Sequence, residues 1–93
     1  MSEPAVTDAP DLSRYELRLG DEVAGVVTYE IDGGVADLRH TEIEPGHEGE
    51  GLGGTLARGV LDDLRTRGLK VKPSCPFIEG WIEKHPDYED LVA

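Results

Sequence analysis

Polar and apolar residues alternate through the first half of the chain and recur at helical spacing through the second. Arg14–Leu19 places Tyr15, Leu17 and Leu19 on one side, the period-two pattern of a strand. Gly20-Asp21 reads as a hairpin turn. Glu22–Ile31 alternates again, with Val23, Gly25, Val27, Tyr29 and Ile31 sharing one face and Ala24, Val26, Thr28 and Glu30 the other. Asp32-Gly33-Gly34 is a second turn, because glycine accepts the positive φ of tight hairpins. Val35–Ile43 is the next strand, so the pattern predicts a three-stranded antiparallel meander. Ahead of it, Met1–Asp11 holds Pro4, Pro10 and three acids without periodicity. Residues 1–12 are therefore expected to form a flexible tail, and residues 13–93 the folded domain.

Pro45–Gly54 interrupts the alternation. Beyond it Leu56, Ala57, Val60, Leu61 and Leu64 form one apolar helical stripe, with Arg58, Asp62, Asp63, Arg65 and Arg67 mostly off it. Gly68 is a natural stop. Leu69–Cys75 reads as a short strand that Pro73 confines to an edge, an end or a bulge. Phe77–Lys84 predicts a second helix, which Pro86 ends, and Tyr88, Leu91 and Val92 dock a last helical turn. Phe77 and Trp81 are expected in the core. The order β-β-β-α-β-α gives an α+β fold in which the strand–helix–strand crossover makes one parallel pair beside an antiparallel meander.

The 93 residues allow one domain with one core. Twenty acids against nine Lys and Arg give a net charge of −11, which argues against nucleic acid or an anionic membrane as partner. The excess sits in residues 1–54, at −10, while residues 55–93 are nearly balanced at −1. A single cysteine excludes an internal disulfide. Met1–Pro10 has neither a basic region nor an apolar core, so it is not a secretory leader, and a cytoplasmic protein is expected.

The stretch from Ile43 to Gly54 holds five of the 12 glycines and joins a strand to a helix. Glycines there let backbone approach a ligand, and free N–H groups at the helix start point toward it, which is phosphate-binding chemistry made from main chain. A Walker loop is excluded, because no Lys-Ser or Lys-Thr follows. Gly49, Gly51 and Gly54 satisfy G-x-G-x-x-G, but a dinucleotide fold needs that motif after its first strand. A bare connection needs only one or two glycines. The pyrophosphate of a coenzyme A thioester is the third reading.

On these residues the chain resembles the GNAT superfamily of N-acetyltransferases, and within it the small acetyltransferase-like proteins. The resemblance covers about residues 13–92 and rests on four segments in order. They are Leu38-Arg39-His40-Thr41-Glu42-Ile43, Glu48-Gly49-Glu50-Gly51-Leu52-Gly53, Lys72-Pro73-Ser74-Cys75-Pro76-Phe77 and His85-Pro86-Asp87-Tyr88. It implies a minimal GNAT-like fold with acetyl-CoA as co-substrate, lying between two strands that splay apart. The pantetheine arm would pair with backbone at Thr41, Glu42 and Ile43, and the pyrophosphate would sit on Gly49, Glu50, Gly51, Leu52, Gly53 and Gly54. Arg58, one turn into the helix, would meet a phosphate. The superfamily loop is written (Gln/Arg)-x-x-Gly-x-(Gly/Ala); Gly51 and Gly53 fit, while Glu48 stands at the Gln/Arg position. Glu48 and Glu50 bring carboxylates toward the expected phosphates, and Coulomb repulsion there opposes binding.

By the same resemblance, His40 is the candidate general base and Cys75 the candidate acid or transient acyl acceptor. The bland readings are a half-buried, hydrogen-bonded His40 and a Cys75 that serves as a small core residue. A metal site is not expected, since His40, Glu42 and Glu44 spread along ~13 Å of strand at 3.3 Å per residue. The expected activity is acetyl transfer by direct attack of a small amine or a protein amino group, and the acidic first half favours a cationic acceptor. The alternative is a non-catalytic acyl-CoA-binding or protein-interaction module on the same fold. A monomer or weak dimer is expected. The chain lacks residues for the helices that larger relatives place between their first two strands, where acceptors often bind.

Overall fold

The alternating half of the chain builds a sheet, and the helical half covers one of its faces. A computed structural model describes residues 3–47, 49 and 51–93. Five strands follow one another across the sheet in sequence order: β1 (Ala5–Ala9), β2 (Arg14–Leu19), β3 (Glu22–Asp32), β4 (Val35–Ile43) and β5 (Lys70–Pro73). The first three pairings are antiparallel and β4–β5 is parallel. The crossover between β4 and β5 contains α1 (Leu52–Thr66), and α2 (Pro76–Glu83) follows β5. Single 3-10 segments occupy Pro10–Leu12 and Pro86–Leu91.

The α+β arrangement and the parallel pair are those expected from the sequence pattern, and β2 and β4 have the expected bounds. The N-terminal segment is corrected. Ala5–Ala9 is not irregular chain but the first strand, paired along its length with Arg14–Arg18 of β2. Its inward positions are Val6 and Asp8, opposite Leu17 and Tyr15. One of the two is an acid, so no apolar period marks the strand; Asp8 is instead a hydrogen-bond partner for Tyr29. The first helix also starts earlier than its apolar stripe, at Leu52, taking in Gly53 and Gly54. A Cβ on Gly53 would lie 2.9 Å from Cζ of Phe77, so glycine here permits the close approach of α2.

Leu56, Ala57, Val60, Leu61 and Leu64, the stripe read from sequence, are all fully buried. They face Tyr15, Leu17, Val27, Tyr29, Ala36, Leu38 and Val71 on the sheet, and Ile78, Trp81 and Ile82 of α2 join the same core. Phe77 departs from expectation: it is 43% exposed. Tyr88 packs edge-on to Trp81, ring centres 5.2 Å apart.

Two β-bulges break the strict alternation. Leu17 pairs with Gly25 but Arg18 pairs with Val23, so Ala24 is the extra residue and joins Gly25 in the core. Thr28 pairs with His40 but Tyr29 pairs with Leu38, so Arg39 is extra in β4. On the other face of the sheet, Arg14 and Arg18 each donate two hydrogen bonds to the carboxylate of Glu16, at 2.7 to 3.1 Å. Their arms leave Glu16 only 3% exposed and hold its carboxyl below the usual range, chiefly through these hydrogen bonds.

The inner face has its own polar pins. Tyr15 donates to Asp63 of α1 at 2.5 Å and accepts from Arg67 at 3.0 Å, and Tyr29 donates to Asp8 at 2.6 Å. Burial and then the carboxylate partner push the Tyr15 hydroxyl well up, and push Tyr29 up to about 12. Tyr88 is raised too, first by its bond to Asp62.

The native state thus holds these phenolic protons more tightly than the unfolded chain, whose tyrosines titrate near ~10. Their stabilisation is present below that pH and is lost as pH rises through the folded values. Absorbance at 295 nm should show less tyrosinate in the folded protein at about pH 10 than in the unfolded chain, with alkaline unfolding beyond it; a buried phenol titrating normally while the fold persists would contradict the pinning. Leu61→Ala should lower stability by about 2–5 kcal/mol in urea unfolding, the range for a fully buried leucine.

Candidate functional site

The site forms where the parallel ladder stops. The β4–β5 register runs only from Val35↔Lys70 to Leu38↔Pro73. Pro73 has no N–H to donate, and the last bond across is from Cys75 N–H to Leu38 C=O at 2.8 Å. The chain then turns at Pro76 into α2 while β4 continues to Ile43. A wedge opens between Arg39–Ile43 and the turn at Ser74-Cys75.

The backbone on the wedge side can be followed from its hydrogen bonds. Glu44 N–H donates toward β3, to Ala24 C=O at 2.8 Å. Alternation directs Glu42 the same way and turns the N–H groups of Thr41 and Ile43 toward the wedge. Thr41 N–H does point to Cys75. Ile43 N–H and the C=O groups of Thr41 and Ile43, which alternation turns the same way, can pair with an extended chain carrying amides, as a further strand would.

The Arg39 bulge decides which side chains enter. Thr41 pairs with Val27 and so faces the helices, where its hydroxyl lies 3.2 Å from Cys75 Sγ. His40 pairs with Thr28 and faces the opposite side of the sheet, exposed, with Nε2 3.5 Å from Glu42 Oε2. Without the bulge, His40 would share the face of Leu38. The two candidate catalytic groups therefore flank the wedge from opposite faces. Thr41 enters through its side chain, a role that strand alternation read from sequence assigns to the wrong parity.

Cys75 is 4% exposed and stands at the N-cap of α2. Burial pushes its thiol up, but hydrogen bonds from the Thr41 side chain and from the N–H groups of Ile78, Phe77 and Thr41 outweigh burial. The net effect is a thiol below its ordinary value. It is both core residue and tuned thiol.

Gly51 caps α1 with φ 74 and no side-chain hydrogen bond to the first turn. A left-handed cap of this kind is natural for glycine, and it leaves the N–H groups of Leu52, Gly53 and Gly54 without a side-chain cap at the positive end of a 15-residue helix. Gly49 also has positive φ, 83°. The donor set suits a phosphate or pyrophosphate. Leu52 is buried at 7% and contributes only backbone here. Glu48 and Glu50 lie outside the described residues. Arg58 is exposed on α1, donates to Tyr88 Oη at 3.2 Å and lies 5.3 Å from the Trp81 ring centre. The structure thus brings Thr41, Ile43 and Cys75 to the wedge, and sets Gly53 and Gly54, in the first turn of α1, against Phe77 and Trp81 of the α2 that follows Cys75. Glu42 goes with His40 to the far face.

Comparison with known proteins bears on this geometry. The family model described as GCN5-related N-acetyl-transferase matches residues 14–91. Among solved structures, the chain is similar to the solution structure of a GCN5-like putative N-acetyltransferase from Staphylococcus aureus. The identity is 23% and the TM-score 0.74, with 100% of this chain and 91% of that one covered. At that identity the likeness speaks for the fold. No curated protein matches. The family match spans β2 to the last 3-10 segment and takes in the wedge, the glycine cap and the Cys75 turn, so the chain belongs to the GCN5-related N-acetyltransferase family.

Proposed function

We propose that the protein uses acetyl-CoA to acetylate an amine by direct attack, with the thioester in the wedge between β4 and the Cys75 turn. The observation that carries this reading is the early end of the β4–β5 ladder, with backbone donors on one side and a tuned thiol on the other. The pantetheine amides pair with Thr41 and Ile43 backbone. The pyrophosphate takes the N–H groups of the Gly49–Gly54 segment at the start of α1.

The opposite placement of His40 and Cys75 gives each a separate proton. The acceptor amine approaches from the face that carries His40 and Glu42. Its nitrogen attacks the thioester carbonyl carbon, and the C–S bond breaks as the C–N bond forms. His40 takes the proton that the attacking nitrogen loses, with Glu42 Oε2 3.5 Å from its Nε2. On the other face Cys75 gives its proton to the departing thiolate. The hydrogen bonds to its sulfur stabilise the thiolate that Cys75 becomes when it gives up the proton. Solvent then restores both groups. Glu30 and Asp37 lie on the same face as His40, with Glu30 paired to Arg39 and Asp37 accepting from Ser74 at 2.5 Å; a cationic acceptor is favoured by the net charge of −10 on residues 1–54.

Titration with acetyl-CoA should shift the backbone amides of Thr41, Ile43, Gly49, Gly51, Gly53 and Gly54; unchanged amides at millimolar ligand would remove the coenzyme from this site. In thiol-release assays with a panel of amines, His40→Ala and Cys75→Ala should each lower kcat by about 10²-fold or more at unchanged acetyl-CoA affinity, the scale of a positioned acid or base. Full turnover in both variants would exclude these roles. Coenzyme binding without thiol release for any amine would favour a non-catalytic binding module.

A further inference from the structure

The face of the sheet that the helices leave uncovered carries a cavity of about 310 Å³. That is the small end of the ligand-pocket range of ~300–1,000 Å³. Its lining comes from three neighbouring strands: Glu30 and Asp32 of β3, Val35, Asp37 and Arg39 of β4, and Lys72 of β5. Glu30, Asp37 and Lys72 form one rung, Glu30 in register with Asp37 and Asp37 with Lys72. The next rung on this face, toward the wedge, is Thr28 and His40. Thr28 and Glu30 are two residues apart on β3, so the rungs lie about 7 Å apart at 3.4 Å per residue. Asp37 also ties the cavity to the wedge, since it accepts from the Ser74 hydroxyl, next to Cys75, at 2.5 Å.

Most charges of this cavity are already engaged. Arg39 and Glu30 form an ion pair, and Asp37 is turned to Ser74. Asp32 lies at the end of β3, the far side from His40. Lys72 is different. It is exposed, and its ammonium has no hydrogen bond or ion pair among the described residues. It is therefore the unengaged charge nearest to the His40 rung, and a ligand group that answers it is an anion. The net charge of −10 on residues 1–54 repels an acceptor that is negative overall. A zwitterion meets both conditions, with its amino group toward His40 and its carboxylate on Lys72.

We propose that this cavity is the acceptor site and that the acceptor is a small amino acid, an amine that also carries a carboxylate. The inference rests on acetyl transfer in the wedge and names the class of acceptor. The amino nitrogen attacks in its neutral form from the His40 side, while the carboxylate is held by Lys72. The C–N bond forms as the C–S bond breaks, the nitrogen's proton goes to His40, and the departing thiolate takes its proton from Cys75. The products are an N-acetyl amino acid and the free thiol of the coenzyme. Lys72 touches the part of the acceptor that does not react, so it decides which amine is used.

Glycine and glycinamide isolate the carboxylate, since the amide keeps the shape and loses the negative charge. Thiol release with acetyl-CoA is read as kcat/KM for the neutral amine, which removes the difference in ammonium pKa between the two. Wild type should favour glycine by about tenfold, the scale of one charge-assisted contact. In Lys72→Gln the preference should fall to about onefold, and Lys72→Arg, which keeps the charge, should retain it. Lys84→Gln removes a lysine at the end of α2, on the helix side, and should leave the preference as in wild type. Lys72 is exposed, and an unchanged melting temperature would show that its variants fold. No preference for glycine in wild type, a preference that survives in Lys72→Gln, or an equal loss in Lys84→Gln would overturn the amino acid assignment, while turnover of glycinamide would leave acetyl transfer standing. If wild type releases thiol with no amine at all, the acetyl-transfer reading falls and takes this inference with it.

Discussion

One residue too many in β4 sets the chemistry of this protein. Arg39 has no register partner on β3, and the bulge rotates everything after it by one face. Upstream, Ala36 and Leu38 point into the core under α1. Downstream, Thr41 takes the inward position and meets Cys75, while His40 and Glu42 turn outward. An unbulged strand would put His40 into the core and Thr41 on the open face, and the thiol would lose its hydroxyl partner. A second constraint acts a few ångströms away. Pro73 ends the parallel ladder, so β4 runs on alone and leaves a wedge where a sheet would otherwise close. Bulge and proline together make a gap with different chemistry on each side.

Much of the fold is legible in the residues. Alternation places β2 and β4, the Leu56–Leu64 stripe places the core face of α1, Gly68 ends that helix with φ 73, and Pro73 marks the end of β5. The parallel pair follows from chain order alone. What escapes has a physical cause in each case. The N-terminal strand puts an acid, Asp8, at an inward position, where it accepts from Tyr29, so its hydrophobic period is broken. The first turn of α1 contains two glycines, whose poor propensity is overridden by packing against Phe77 and Trp81. The bulges leave no mark in a hydrophobic pattern, because Val23, Ala24 and Gly25 read equally well in either register.

The same limit governs the site. In sequence, the glycine-rich segment marks backbone that can approach a ligand closely, and Cys75 stands out as the lone thiol. Gly53 has a different explanation from its neighbours: it lets Phe77 approach, so not every glycine in the run serves a ligand. That His40 and Cys75 lie on opposite faces depends on a single register shift, which only the paired strand reveals. The charge imbalance finds a partial structural account. Acids of the first half hold arginines over the sheet, as Glu16 does with Arg14 and Arg18, and accept phenols, as Asp8 does.

The proposed roles of His40 and Cys75 depend on which face each β4 side chain occupies, and nuclear Overhauser contacts in the free protein read this directly. The Thr41 methyl should show contacts to the Cys75 β protons, and the His40 ring protons should show contacts to Thr28 and Glu42 and none to Cys75. His40 ring contacts to Cys75, with Thr41 facing the outer sheet surface, would mean that Arg39 is not bulged and would contradict the division of roles between the two faces.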